Sequence, residues 1–491
     1  MSKHYRPWSP EQAYLLPPSP MEWLPEGHLA YFLLEIVREL DLHAIESVIQ
    51  ERDPRGERPY APRMMTALIL YAYCTGQFSS RRIERATYED VAMRVIAGGA
   101  HPHFTSVNRF RLEHREALAG LFVQVLKLCA GVGLKTVGHV ALDGSKVQAN
   151  ASKHKAMSYG RMKQDERRLQ AEIEALLTRA DQVDAAEDAK HGADQRGDEL
   201  PEELQRRESR LNRIRAAKAE LEREAAEARA GQLREQAEAQ RKRAAAPTTP
   251  LKQQRLGATL AAKAEKKAQK ISPRKDDDDD PGASGATQLS LHRVPTTRTG
   301  KPRDVAQRNF TDGDSRIMLR NGAYLQAYNA QAVVSEDQVI LAHGVTNHPI
   351  DTNQLVPMLE RVAENCGEHA AIVTADSSYL SESNVTFCAK NGIDAYLALR
   401  SSDAKKLVQV PDSEALVARW DMLQKISSPR GRRIYAMRKI LVEPVFGQIK
   451  AAMGFRRFSL RGLRKVASEW GIVCLCHNLL KAFRASKLAA A

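Results

Sequence analysis

Three acidic residues stand out for the chemistry they could share: Asp143 in VALDGSKVQANAS, Asp376 in AAIVTADSSYLSESN and Glu443 in ILVEPVFGQIK. The two aspartates close short apolar runs and are followed by Gly or Ser, which predicts buried strands that each deliver a carboxylate to the carboxyl edge. Glu443 falls in a helical stretch. Hard divalent cations take oxygen ligands, and three carboxylates from separate elements can hold two such ions without enclosing them. That arrangement suits phosphodiester chemistry. Taken singly, an Asp before Gly or Ser is an ordinary turn or capping residue, so the site depends on elements that bring the acids together.

The first of those elements are helical, from Glu26 to Cys129. LAYFLLEIVREL and RMMTALILYAYCTG carry apolar residues at helical spacing, the second ending at Gly76. Ser79 and Ser80 offer an N-cap for one helix through SRRIERATYEDVAMRVIAG, and Thr105 or Ser106 caps a long helix through NRFRLEHREALAGLFVQVLKLC. Short helices followed by one bearing Arg109, Arg111 and Arg115 near its start resemble a helix-turn-helix that would set those arginines on DNA phosphates. The alternative is a bundle with a solvated arginine face.

Lys135 to Ala149 turns to strand character and contains Asp143. From Ala151 to Pro302 the composition shifts to Ala, Glu, Lys, Arg and Gln with almost no aromatics. Met162, Leu169 and Leu176, with Ile173 and Ala180 at the alternate core position, and Leu204 and Leu211 with Ile214 and Leu221, predict two short coiled-coil helices folded back across the polar loop AAEDAKHGADQRGDEL. A basic helix-prone stretch, the acidic run Asp276 to Asp280 and the disorder-prone GASGATQLSLHRVPTTRTG follow.

Strand signals return in SRIMLRNGAYLQAYNAQAVVSEDQVILAHGVTN, predicted as antiparallel strands turning at Asn321-Gly322 and Glu336-Asp337. Then come a helix in DTNQLVPMLERVAEN, a buried strand in AAIVTAD, a helix in SESNVTFCAKNG, a strand in IDAYLAL and helices from Ile434 onward. With the insertion set aside, this is the element order of an α/β, ribonuclease H-like fold: a mixed sheet with flanking helices, interrupted by a helical insertion and preceded by an all-α domain. The expected division is 1–132 helical and DNA-binding, 133–150 the first part of the catalytic domain, 151–302 the insertion and 303–491 the remainder.

Glu443 has informative neighbours. Lys450 lies two helical turns further along the same face, and Tyr435 and Arg438 precede it, so a cation could hold a phosphate near the acids. Pro444 disfavours helical geometry in the residue before it, which places Glu443 in a first turn or at a kink. GFRRFSLRGLRK interleaves aromatic and basic residues, so that Arg456, Arg457 and Arg461 could lie along a DNA backbone. Cys474, Cys476 and His477 fit no common zinc spacing and read as core residues.

Together, VALDGSKVQANAS, YNAQAVV, VTNHPIDTNQLVPMLE, TADSSYLSESN and Tyr435-x2-Arg438-x4-Glu443-x6-Lys450 resemble the DDE transposases of bacterial insertion sequences. The resemblance spans most of the chain outside the insertion. It implies Asp143, Asp376 and Glu443 as ligands of two Mg²⁺ ions, which Mn²⁺ can replace, and Tyr435, Arg438 and Lys450 as an accessory signature. One departure is visible: the Arg438-to-Glu443 spacing is one residue longer than in the best-known form of that signature. The implied activity is cleavage at the element's ends by water, followed by attack of the freed 3′-OH on target DNA. The implied partners are double-stranded DNA and further copies of the chain in a synaptic complex, for which the insertion would serve as an assembly arm. Other readings are a related nuclease that cuts without joining and a non-catalytic DNA-binding assembly protein.

Composition agrees with a polyanionic partner, since Lys plus Arg number 74 against 60 Asp plus Glu, a formal charge of +14. Six scattered cysteines suit a reducing compartment. The N-terminal residues do not resemble a signal peptide, and no apolar run approaches the roughly twenty residues a membrane helix needs, so a cytoplasmic protein is expected. No GxxxxGK[ST] loop signals ATP use.

Overall fold

The computed structural model of the chain describes residues 19, 22–51, 58–134, 137–191, 202–245, 250–272, 289–399 and 414–490. Its N-terminal region is helical, with α1 (Leu29–Glu39), α2 (His43–Gln50) and α3 (Pro62–Cys74). α3 is buried throughout from Met65 to Cys74, as an all-round apolar helix must be. The single helix expected after Ser80 is two, α4 (Ser80–Glu89) and α5 (Val91–Ala97), because Asp90 is extended and its side chain accepts from Met93 N at 3.0 Å to start a new helix. The long helix expected after Thr105 also divides, at His114, into α6 (Phe104–Glu113) and α7 (Arg115–Gly131). Its cap is His103, whose Nδ1 accepts from Thr105 N, rather than Thr105 or Ser106.

A mixed sheet follows. β1 (His139–Gln148) is its centre, parallel to β7 (Ile372–Ala375) on one side and antiparallel to β5 (Ala323–Val334) on the other. β8 (Asp394–Leu397) extends the parallel side. The far edge of β5 is shared by β4 (Arg316–Arg320) and β6 (Ile340–Thr346). Asn321 and Gly322 turn β4 into β5 with φ of 50° and 76°, the left-handed pair that a tight two-residue hairpin demands. One sheet face is covered by α11 (Leu355–Cys366), beyond which α12 (Glu382–Lys390) leads into β8. The C-terminal helices are α13 (Glu414–Ser427), α14 (Pro429–Gly447) and α15 (Leu463–Ala490), so they begin twenty residues before Ile434. α14 and α15 pack on the other face, and α15 also packs on α7 and α3. Thus the N-terminal helices and the sheet share one apolar core. Cys74, Cys129, Cys474, Cys476 and His477 are buried in it, and all six cysteines are free.

The insertion leaves after β1 and returns through a short ladder, β2 (Ala156–Ser158) antiparallel to β3 (Gln307–Asn309). It contains α8 (Tyr159–His191), α9 (Glu202–Ala244) and α10 (Leu251–Ile271). The two helices expected to be short run 33 and 43 residues. α8 continues through the first half of the expected polar loop, whose remainder lies outside the described residues, because Ala, Glu and Lys there favour helix. Met162, Leu169 and Ile173 meet Leu204, Leu211, Ile214 and Leu221 in a core separate from that of the sheet. Residues 289–300, expected to be disordered, are ordered: Leu289 is buried in the sheet core, Val294 in the arm core, and Ser290 O accepts from Thr346 and Gln354 side chains. The acidic run Asp276 to Asp280 lies outside the described residues. Among the described residues no helix is long and apolar enough to cross a membrane.

Candidate active site

β1 does not end at Asp143, as the apolar run suggested, but continues to Gln148. What ends there is its parallel ladder with β7, whose last pair is Leu142 with Ala375. Asp143 and Asp376 are the next residues on the two strands, so the carboxylates emerge together where the sheet opens. Burial pushes the Asp143 carboxyl up to about 6; Arg438 opposes the shift, while Asp376 and Asp351 add to it.

Alternation along β1 sorts the remaining groups onto two faces. Asp143 and Ser145 face α14: Arg438 Nη1 lies 3.1 Å from Asp143 Oδ2, and Lys450 Nζ donates to Ser145 Oγ. Tyr435 hydrogen-bonds to Arg438, and burial raises its hydroxyl above the ordinary range. Burial also lowers Lys450, with Arg320 acting in the same direction. Gly144 and Lys146 face the opposite way, toward Asp351. That carboxylate pairs with Lys146 Nζ at 3.1 Å and accepts from Gln331 Nε2 at 2.8 Å and from Asn329 Nδ2. A Cβ at Gly144 would lie 2.2 Å from Gln331 Nε2, so glycine is needed beside Asp143 for this layer to close. Ser378 Oγ joins the two faces, donating to Asp376 Oδ1 and lying 3.4 Å from Asp351 Oδ2.

Glu443 is placed differently from its expectation. It stands not in a first turn but in the last turns of α14, beside the internal Pro444 and just before a π-helical turn, Gln448–Ala452. Pro444 is accommodated because the carbonyl it leaves without a helical donor, Ile440 O, accepts from Gln338 Nε2 at 3.0 Å. Glu443 is exposed, and among the described residues no group of three His, Cys, Asp or Glu side chains is arranged to hold a metal ion. The fold therefore brings Asp143, Asp376, Arg438, Tyr435 and Lys450 to one sheet end, while Glu443 is exposed on α14.

The arginines after the π turn extend this region. Phe458 N donates to Gln148 O, tying the loop to the end of β1. The buried Glu469 holds the loop by accepting from Ser459 and Leu460 amides. Arg457 donates to Asn150 Oδ1 at 2.8 Å, Arg461 to Asn150 O at 3.0 Å and Arg456 to Lys450 O at 3.0 Å, all three with exposed side chains. In the N-terminal region, Arg109 is exposed. Arg115 is half-buried on Leu112 O and Glu116. Arg111 corrects the reading of a phosphate contact: it is 4% exposed and donates to Tyr73 Oη and Phe78 O. Asp351, Asn329 and Gln331 join the site only through the fold. The signal for Asn329 and Gln331 lies in YNAQAVV, where two amides alternate inside an apolar strand and must be hydrogen-bonded if buried.

A model of the transposase DDE domain matches residues 292–479, which include Asp376 and Glu443, and one of a second transposase domain, DUF772, matches residues 18–113, which include Arg109 and Arg111. Asp143 lies between the two matches. Neither curated proteins nor solved structures yield a match. Its N-terminal helices and most of its sheet region are thus each similar to a transposase domain.

Proposed function

We propose that this chain is a transposase that cuts phosphodiester bonds at the ends of its own element and joins the freed 3′ ends to target DNA, with Asp143, Asp376 and Glu443 as the acids of its centre. The observation that carries the reading is the emergence of Asp143 and Asp376 side by side where the β1–β7 ladder ends, with Arg438 and Lys450 reaching β1 from one helical segment. The strand order β6-β5-β1-β7-β8, with β5 alone of these antiparallel to the rest, supports a ribonuclease H-like catalytic domain. The paired apolar faces of α8 and α9 support a coiled-coil insertion, and the helices before β1 suit the DNA-binding role expected of residues 1–132.

DDE transposases use divalent metal ions, and the donors here fit a hard cation: two carboxylates where two neighbouring strands part, one of them half-buried and raised partly by the like charges beside it. Asp143 and Asp376 would hold the ion, with Glu443 as the third donor from α14. When bound, such an ion activates the attacking oxygen and offsets charge on the scissile phosphate. The chain's own groups do the rest. Arg438 fixes the Asp143 carboxylate in place. Tyr435 keeps its proton and braces Arg438. Glu443 and Lys450 are seven residues apart, within about 20° of two full helical turns before the π turn is counted. Lys450 thus offers a cation to a phosphate lying along that face, and Arg456, Arg457 and Arg461 continue the contact along the backbone.

The test uses the full chain and linear DNA carrying the element's own end. Mg²⁺-dependent nicking at the end and joining of a labelled 3′ end to a plasmid are expected of the wild type. Asp143→Asn, Asp376→Asn and Glu443→Gln should each lose both steps while binding the end within a few-fold of wild type. Near-normal nicking by any one variant removes that residue from the centre, and nicking without joining replaces the transposase reaction by simple hydrolysis.

A further inference from the structure

At the root of the arm, a groove of about 1170 Å³ opens between β2, the first turns of α8 and α9 and the segment after β3. Lys155, Arg161, Arg206, Arg210 and Arg213 line it, and no carboxylate is among its lining residues. Asp165 stands beside it, its Oδ2 3.5 Å from Arg210. Phe310, 37% exposed, gives the groove an aromatic wall, and its amide donates to Lys155 O at 3.0 Å, locking the two sides together. Five cations converging on one concavity repel one another, and an anion relieves that repulsion.

The spacing selects the kind of anion. Arg206, Arg210 and Arg213 follow one another at four and three residues along α9, one helix face covering about 10 Å. A DNA duplex presents about six phosphates over that length. A mononucleotide would leave most of the cations unused. The groove also continues an existing basic strip: Asn150 receives Arg457 and Arg461, and Lys155 is five residues further on, at most about 18 Å along the chain. From Asp143 to Lys155 the chain spans no more than about 40 Å, close to one turn of duplex.

We propose that this groove is a second duplex-binding site, at which the arm grips the phosphate backbone within about one helical turn of the catalytic acids. It rests on the transposase reading only for the identity of the polymer as DNA. The contact is made to backbone, so it adds affinity and salt dependence without reading sequence.

The test compares Arg206→Ala/Arg210→Ala/Arg213→Ala with the matching triple Lys variant, and adds Arg161→Glu from α8 as an independent variant. Fluorescence anisotropy is measured between about 50 and 200 mM salt on duplexes with and without the element's end, each long enough to reach the arm. The Ala triple should flatten the plot of log affinity against log salt by about 2 to 3 units, the Lys triple should restore the slope, and Arg161→Glu should weaken binding on the same duplexes. Flattening on both duplexes assigns the groove to DNA of any sequence, and flattening only on the element's end assigns it to the transposon flank. An unchanged slope on both, or a Lys triple as weak as the Ala triple, overturns the proposal. Asp376→Asn separates the two readings: if it nicks normally the centre is misassigned, whereas a groove variant that binds like wild type while Asp376→Asn is inactive defeats only the groove.

Discussion

Glu224→Ala should release the arm from the sheet without unfolding the sheet. Glu224, on α9, pairs with Arg308 and with Arg316, whose Nη2 lies 3.2 Å away, and both arginine side chains are only 11% exposed. Burial works against the Arg316 charge, and Glu224 is the chief opposing influence. Removing one partner of a buried ion pair costs about 3 to 5 kcal/mol, because the other charge is left without compensation. Here Glu224 is 21% exposed and Arg316 keeps its bond to Ser315 O, so the lower end, about 3 kcal/mol, applies. Glu220 also pairs with Arg308 but is 53% exposed, and Glu220→Ala should cost under about 1 kcal/mol. Since the arm has its own core, the loss should appear as local opening. Amide exchange in the β2–β3 ladder should speed up about 100-fold in Glu224→Ala, with β1 and β7 unchanged. Equal effects of the two substitutions, or no acceleration, would refute the view that burial of this pair anchors the arm.

Two further outcomes follow from burial elsewhere. Arg111→Ala should cost about 3 kcal/mol in urea unfolding, through lost bonds to Tyr73, Phe78 and Asn108, and leave the salt slope of DNA binding unchanged; Arg109→Ala should do the reverse, with stability within about 0.5 kcal/mol of wild type. Burial lowers His343 to about 3 and His477 to about 4, so both stay neutral in the folded chain while the unfolded chain takes up protons below about pH 6.5. Stability is therefore full above that pH and falls toward pH 4 by roughly 3 kcal/mol per pH unit for the pair. Urea midpoints measured from pH 7 to pH 5 check this, and His477→Gln, which keeps a donor for Gln338 O, should lower the slope by about 1.4 kcal/mol per pH unit; a flat profile would count against both histidines.

Periodicity carried the mixed sheet and its helical neighbours, because alternation in YLQAYNAQAVV and the apolar run in AAIVTAD are local signals of strands buried on one or both faces. Composition alone marked the insertion, since Ala, Glu, Lys and Arg at heptad spacing cannot build a wide core. The types and order of Asp143, Asp376, Tyr435, Arg438, Glu443 and Lys450 were likewise readable before any coordinates. Other features needed the folded chain. Whether Asp143 ends β1 or merely ends its pairing with β7 depends on where a strand more than two hundred residues later stops. The layer of Asp351, Asn329 and Gln331 exists only once β5 is in register with β1, and it required glycine at position 144 for a reason no local rule expresses. Arg111 looked like Arg109 in the sequence, yet one is buried under Phe78 and the other solvated. Side-chain types and local periods are properties of neighbours along the chain, so the sequence by itself determined the elements and the candidate acids. Register, burial and the meeting of distant charges are long-range packing outcomes, and these only the tertiary structure decided.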